Sequence, residues 1–449
     1  MSAISKMSNR NKIILLLVFL FVFRTLFGLS LTFFGSNEIE NDALQTYLIG
    51  LKSYTTGTWP YFGPDQYNLE TNFQSQIPGA LEGLVIGLPF YLLPIPEAPF
   101  IFLNLFSLSA LVLLAWYITR RLPELSFSFV LTWIALLPWT LNRSTHVFNP
   151  SYLLLGSVLF FVGFLETLPG FSLKRISTLL AFAMMGFGMF WNMQFHGSWV
   201  LLPIFTLGTF LWRRKRRVGT AGLEILGFLA GAAMPLGLLL PTFIQFGFHH
   251  GSEGFSQVAV RFNPGNFKEF FTILARYLSL ACFEMPRFLG SGTGERKAFF
   301  DGLLWLVPPA LFLTLVGWIQ PFVLLIYGWF KDKRHPEAFF IQCLTLGSLL
   351  WVWFCFWFTT TGPAAHMYYV FLPLIVVSFF FILRRLSPRK GWRNFGLICL
   401  VASLWFQSGF IYRNLTKGGS LYSNREKIVQ ALSKKDFRLL AERRPGSFY

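Results

Sequence analysis

The sequence predicts an all-α protein threaded many times through a membrane, and three observations carry that expectation. Of its 449 residues, 54% are hydrophobic and 13% charged, roughly half the charge of an average soluble domain. Apolar runs approaching or exceeding the roughly 20 residues that carry a helix across a bilayer recur near 13–34, 98–119, 124–141, 150–168, 176–193, 197–212, 220–245, 303–329, 338–358, 366–383 and 394–411, which predicts about eleven transmembrane helices. The net charge of +18 falls in short clusters between these runs. Nucleic acid would be met by one continuous basic face, so the clusters read as topology signals instead.

The first run shows no small-residue cleavage site and is expected to remain as a first helix with the N-terminus cytoplasmic. It contains Arg24, a charge that hydrocarbon makes costly and that is by default functional or paired. A long segment, 35–99, follows. In EIENDALQTYLIGLKSYTTGTWP, Leu44, Tyr47, Leu48 and Leu51 recur at i, i+3, i+4, i+7, which predicts a helix lying on the membrane surface. Gly57 and Pro60 end it, and Trp59, Tyr61 and Phe62 suit the headgroup level. Ala80 to Leu93 is short and interrupted by Gly83, Gly87 and Pro89, so it is expected to dip into the interface without crossing.

Without a crossing there, Arg120 and Arg121, Lys174 and Arg175, RRKRR at 213–217, KDKR at 331–334 and RRLSPRKGWR at 384–393 all fall on the cytoplasmic side, as the positive-inside rule requires. A second long outer loop spans 247–301 and, like the first, exceeds a mere connector. The chain divides into a transmembrane domain, 1–412, and a basic tail, 413–449, which would lie outside and is too short to build its own core. The four cysteines have neither metal-ligand nor paired spacing, so no disulfide and no zinc site is expected.

This threading places most acids, from Glu38 to Glu97 and from Glu253 to Asp301, and every histidine except His335, on the outer side. Glu38, Glu40 and Asp42 crowd the start of the surface helix. Acids in a first turn offset the N-terminal dipole by about 0.3–1 kcal/mol; a carboxylate at the lipid boundary can also act as a base. Transfer of a sugar from a polyprenyl phosphate needs such a base. The phosphate leaves as a stabilised anion, while the acceptor hydroxyl must lose a proton as its bond to the anomeric carbon forms. Cationic or hydrogen-bonding groups then hold the phosphate.

NDALQTYLIGLKSYTTGTWP followed by SQIPGALEGLVIGLPF resembles the membrane glycosyltransferases of the C-type fold, nearest to the protein O-mannosyltransferase and lipid A aminoarabinose transferase group. FNPSYLLLG, WNMQFHGSWVLLP and GPAAHMYYVFLP resemble that group's helix starts on the same face, and the shared layout covers most of 10–385. The resemblance implies surface-lying helices over a cavity open to lipid and to the outer aqueous side. It implies a multi-pass enzyme of the plasma membrane, a bacterial inner membrane, whose extracytoplasmic active site moves a sugar from a polyprenyl-phosphate donor to a lipid, glycan or protein acceptor. Asp42 matches the first-loop aspartate that serves as base in this group. Many members read Asp-Glu there; Ala43 takes the second place here, so Glu40, Glu38 or neither supplies the other acid. Gln76, Ile77, Pro78 and Gly79 stand where relatives often read His-Pro-Pro. His366, with Tyr368 and Tyr369, matches the place of an Arg-Tyr or His-Tyr pair near the donor.

His196 and Gln194, between two predicted helices, either bind donor phosphate or acceptor or are interfacial polar residues at a helix end. Arg261, Arg276 and Arg287 are phosphate ligands or solvated. His146 and Asn149 line the cavity, or Asn149-Pro150 simply starts a helix. No residue pattern forms a convincing divalent site or names a certain cofactor, although Glu38, Glu40 and Asp42 together form a set able to recruit a divalent cation weakly. The rival classes are a transporter or flippase, which would show paired halves and broken helices, and a polysaccharide polymerase or ligase built around a late outer loop.

Overall fold

A computed structural model describes residues 8–33, 41–68, 73–247, 262–285, 288–289, 292–327, 337–359, 362–386, 390–416 and 421–440. Among the described residues, eight helices are long and apolar enough to cross a membrane: Asn9–Leu31, Ala98–Arg121, Asn149–Thr167, Ala221–Phe246, Leu304–Tyr327, Glu337–Phe356, Ala365–Arg384 and Asn394–Thr416. The chain is thus a helical multi-pass membrane protein. The other three expected spans are shorter helices. Residues 124–141 divide into α5 (Phe127–Leu136) and α6 (Pro138–Ser144), because Pro138 drives Leu137 into an extended conformation, φ −58° and ψ 134°. Thr178–Met193 has 16 residues, about 24 Å of helix. Residues 197–212 begin as a 3-10 turn, Gly197–Leu201, before the helix Pro203–Lys215 starts.

In chain order α1 is Asn9–Phe33, α2 Asn41–Thr56, α3 Leu81–Leu92, α4 Ala98–Arg121, α7 Leu153–Thr167, α8 Thr178–Met193, α9 Pro203–Lys215 and α10 Ala221–Phe246. Between α2 and α3 runs a hairpin the sequence reading did not anticipate, β1 (Phe62–Asn68) antiparallel to β2 (Phe73–Pro78), with a register shift between Phe62 and Asp65. Pro60, Gly63 and Pro64 deny this stretch a helix and put the irregularity where proline cannot donate to the ladder.

The stripe on α2 has the expected period but a different neighbour. Tyr47, Leu48 and Leu51 are buried by protein, with the Tyr47 ring against Phe90 and Phe100 and its hydroxyl donating to the Pro96 carbonyl at 2.9 Å. α7, α8 and α10 pack through glycines. A Cβ on Gly188 would strike the Gly156 carbonyl, and one on Gly231 the Ala183 carbonyl. Small residues allow this approach, which dispersion rewards where lipid provides no hydrophobic drive.

Among the described residues, Arg121, Arg213, Arg214 and Arg384 of the basic clusters gather at one end, held by carboxylates. Arg121 at the foot of α4 meets Glu166 at the foot of α7 at 3.0 Å. Glu224 in the first turn of α10 takes Arg213 at 2.7 Å and Arg214 at 2.5 Å. Arg384 pairs with Glu124 at 2.9 Å. At the opposite end, Lys52 of α2 lies 5.8 Å from the Phe437 ring centroid and Arg425 meets Glu97 at 2.6 Å, so the C-terminal segment packs beside α2.

Candidate functional site

At this second end, three 3-10 turns run into helix N-termini: Asn149–Tyr152 into α7, Gly197–Leu201 into α9, and Ala365–Phe371 into the helix Leu372–Leu386. Each begins where the chain is extended, at Phe148, His196 and Ala364. Their side chains tie them together. Asn149 Nδ2 donates to the Phe195 carbonyl at 3.3 Å, the Tyr152 ring stacks on Phe195 at 5.0 Å, and Trp191 Nε1 donates to the Tyr152 carbonyl at 2.9 Å. The imidazoles of His196 and His366 stand edge to face, centroids 5.5 Å apart. Three helix N-termini therefore meet at one end, an arrangement whose partial positive charge suits an anion.

His196 Nδ1 accepts the Ser198 main-chain N–H at 3.1 Å, which leaves the neutral ring's proton on Nε2. Burial pushes the ring down from 6.5 to about 4. Folded His196 is then neutral where the unfolded residue would protonate, so its contribution is complete above about pH 6.5 and is lost as pH falls towards 4. The thermal midpoint of the purified protein is expected to drop between pH 7 and pH 4.5, with a shallower drop for His196→Gln. An equal slope in both would remove His196 as its source.

Gln194 is fully buried and spends its amide on the frame. Its Oε1 accepts the Leu81 N–H at 3.3 Å and its Nε2 donates to the Pro235 carbonyl at 2.5 Å. Its side chain fills the space a Cβ on Gly79 would need, and Gly79 has φ +128°, so glycine is what permits the hairpin to close on α8. Gln76 lies on β2 opposite Asp65. Tyr368 is buried between Tyr277 and Phe356, 6.0 and 6.3 Å away. Arg276 donates to the Pro363 carbonyl at 3.0 Å, three residues before His366. Asp42 occupies the second position of α2; the structure describes its backbone. Glu38, Glu40, Arg261 and Arg287 lie outside the described residues, and among those described no group of three or more His, Cys, Asp or Glu could hold a metal.

Two charged residues of this end were not singled out from sequence. Glu82, in the first turn of α3, is fully buried and within electrostatic reach of Tyr152. Arg143 lies 5.6 Å from the Phe148 ring centroid. An acid inside the apolar stretch GALEGLVIGLPF was the available signal. Arg24, whose partner was not legible, donates to the Ala135 carbonyl at 2.9 Å, Ser144 Oγ at 2.8 Å and Ser107 Oγ at 3.2 Å.

Neither a family model nor a curated protein matches the chain in sequence. Among solved structures it is similar to ArnT from Cupriavidus metallidurans bound to undecaprenyl phosphate, at 12% identity and TM-score 0.53, over 96% of this chain and 76% of that one. The apo form of the same protein aligns at 13% identity and TM-score 0.48, with the same coverage. What the chain shares with ArnT across nearly its whole length is the fold, in agreement with the C-type resemblance of its motifs.

Proposed function

We propose that this protein is an integral membrane glycosyltransferase that moves a sugar from a polyprenyl-phosphate donor to a lipid, glycan or protein acceptor. The observation that carries the reading is the ArnT-like fold over 96% of the chain, in a neighbour bound to a polyprenyl phosphate. Supporting it, α3, which packs on α2, is tied at Leu81 to Gln194, two residues before the His196 turn.

In this reading the acceptor oxygen attacks the anomeric carbon, the bond from that carbon to the phosphate oxygen breaks, and the electron pair leaves with polyprenyl phosphate. The acceptor proton passes to Asp42, the carboxylate that matches the family's base. Helix N-termini and the His196 Nε2–H offer donors to the phosphate. His366 and Gln76 are assigned to substrate on the same reading, and so is Arg261. By the positive-inside rule the basic end faces the cytoplasm and the site faces the extracytoplasmic side, and the family resemblance makes the membrane a bacterial inner one.

The test is reconstitution in vesicles with radiolabelled polyprenyl-phosphate sugars and a membrane extract as acceptor source. Label should pass to an acceptor as unlabelled polyprenyl phosphate accumulates. Movement of intact donor across the bilayer, with no new glycosidic bond, would replace transfer by transport.

A further inference from the structure

Segment 421–440 has too few residues for a core of its own, yet five of its apolar side chains are buried: Ile428, Ala431, Leu432, Phe437 and Leu440. The first three recur at i, i+3, i+4 along the Leu421–Lys434 helix, which gives it one apolar stripe. Its neighbours come from the other end of the chain. The helix packs on α1 and α2, and the Phe437–Leu439 turn packs on α2.

The reversal between helix and turn is fixed by its own bonds. Lys435 takes φ +49°, a left-handed conformation that ends a helix. The Asp436 N–H returns to the Ala431 carbonyl at 2.9 Å, and Asp436 Oδ1 accepts the Arg438 N–H at 3.1 Å. The Phe437 ring is thereby carried to Lys52 of α2, whose Nζ lies 5.8 Å from its centroid, within reach of a cation–π contact. Near the helix start, Arg425 Nε donates to Glu97 Oε1 at 2.6 Å. The residue before Glu97 gives its carbonyl to the Tyr47 hydroxyl of α2 at 2.9 Å. The segment therefore meets α2 directly at Lys52 and by way of Pro96 and Glu97 at Tyr47, two points about 7.5 Å apart along the helix axis.

Two contacts along one helix fix what a single contact leaves free, its rotation and its tilt. On α3 the approach is close: a Cβ on Gly50 of α2 would strike Ile86. α2 has 16 residues, a length that is marginal for a helix without partners, and Asp42 is its second residue. A rotation of α2 is therefore carried to that residue, and misplacing a reacting group by about 1 Å can cost about a hundredfold in rate. The Arg425 and Glu97 side chains are 39% and 20% exposed. A pair that open to water adds little stability, so what it contributes is direction, the place at which the segment sits against α2.

We propose that segment 421–440 is a positioning strap for α2, in which Phe437 and Arg425 fix the rotation of the helix that carries the base. The inference rests on the transfer reading above, where Asp42 takes the acceptor proton, and adds to it two positioning residues far along the chain. Both act through α2 and not on substrate. Their loss lowers kcat and leaves donor binding, which draws on the three helix N-termini, in place.

The test uses the full-length protein in lipid nanodiscs and two readouts. Backbone hydrogen exchange across 41–56 should run about tenfold faster in Phe437→Ala than in wild type, with exchange in α7 and α8 unchanged. In the same preparations kcat for sugar transfer should fall about ten- to a hundredfold, with the donor KM within about twofold of wild type. Phe437→Tyr, which keeps a ring for Lys52, should match wild type in both. Arg425→Glu should show the same losses, and Arg425→Glu combined with Glu97→Arg should recover them. Unchanged exchange in α2 for both Phe437→Ala and Arg425→Glu overturns the strap, and so does faster exchange spread over α7 and α8, the mark of general destabilisation. Faster exchange confined to α2 with an unaltered kcat overturns the positioning role, while transfer by wild type still upholds the enzyme. A wild type that makes no glycosidic bond removes the transfer reading, and with it the base that the strap would place.

Discussion

Asp42→Asn is expected to lower sugar transfer by about a hundredfold to ten-thousandfold, the range that a positioned general base supplies, and to leave donor binding within a few-fold of wild type. The size of the effect separates the two roles that the acids before α2 can have. A carboxylate that only offsets a helix dipole is worth about 0.3–1 kcal/mol of stability, so its amide variant would lose a few degrees of thermal midpoint and keep its rate. A base that takes the acceptor's proton lowers the barrier by about 3–5 kcal/mol, and the same substitution would keep the midpoint and lose the rate. Label transfer and thermal unfolding measured on one preparation therefore decide between them. Glu40→Gln and Glu38→Gln complete the set, since Ala43 removes the second acid that relatives often carry after the aspartate. Loss of transfer in either of these, with Asp42→Asn active, would move the base to that residue.

Most of the fold was legible because hydrocarbon imposes one strong constraint, length of apolar run, and the sequence satisfies it openly from Ala98 to Arg121 and from Ala221 to Phe246. The misread elements are those where a second constraint hides inside an apolar run. Pro138 breaks 124–141 into two helices without lowering its hydropathy. On α2 the period of Leu44, Tyr47, Leu48 and Leu51 marks a face that must be covered, but period carries no information on whether lipid or protein covers it; here Tyr47 and Leu51 are covered by protein. The hairpin was missed because β1, FGPDQYN, lacks the alternation that announces a half-buried strand. Glu166 and Glu224, which take Arg121, Arg213 and Arg214 of the basic clusters, look from sequence like isolated acids near helix ends.

The candidate site was legible where a residue type is rare in its surroundings, as for His196 and His366, whose rings the structure brings to 5.5 Å. Gln194 shows the limit. A polar side chain between two helices is equally suited to a ligand and to the frame, and only the partners of its amide, Leu81 N–H and the Pro235 carbonyl, show what occupies it.

Replacing Arg24 by methionine is expected to destabilise the protein by about 2–4 kcal/mol, the cost of leaving two buried acceptors unmet at 1–3 kcal/mol each, partly relieved by relaxation. The reason lies in the break at Pro138. Ending α5 there leaves its last carbonyls without helical donors, and side chains from three elements replace them: Thr140 Oγ1 on the Ile134 carbonyl at 2.5 Å, Arg24 on Ala135 at 2.9 Å, and Ser403 Oγ on Leu136 at 3.1 Å. A guanidinium suits this place, since it meets the negative end of a helix dipole and forks onto the Ser144 hydroxyl as well. One turn further along α1, Gly28 lets the helix close on the Thr145 carbonyl, which also accepts from Asn104 Nδ2 at 3.2 Å. α1 thus fixes the chain up to the residue before His146. Arg24→Met should therefore lower the thermal midpoint and the yield of folded protein, with Arg24→Lys intermediate because one ammonium cannot fork. Transfer per folded molecule should stay within about tenfold of wild type, the residual loss coming from a looser 146–152 turn. Normal folding with abolished transfer would instead place Arg24 in the chemistry.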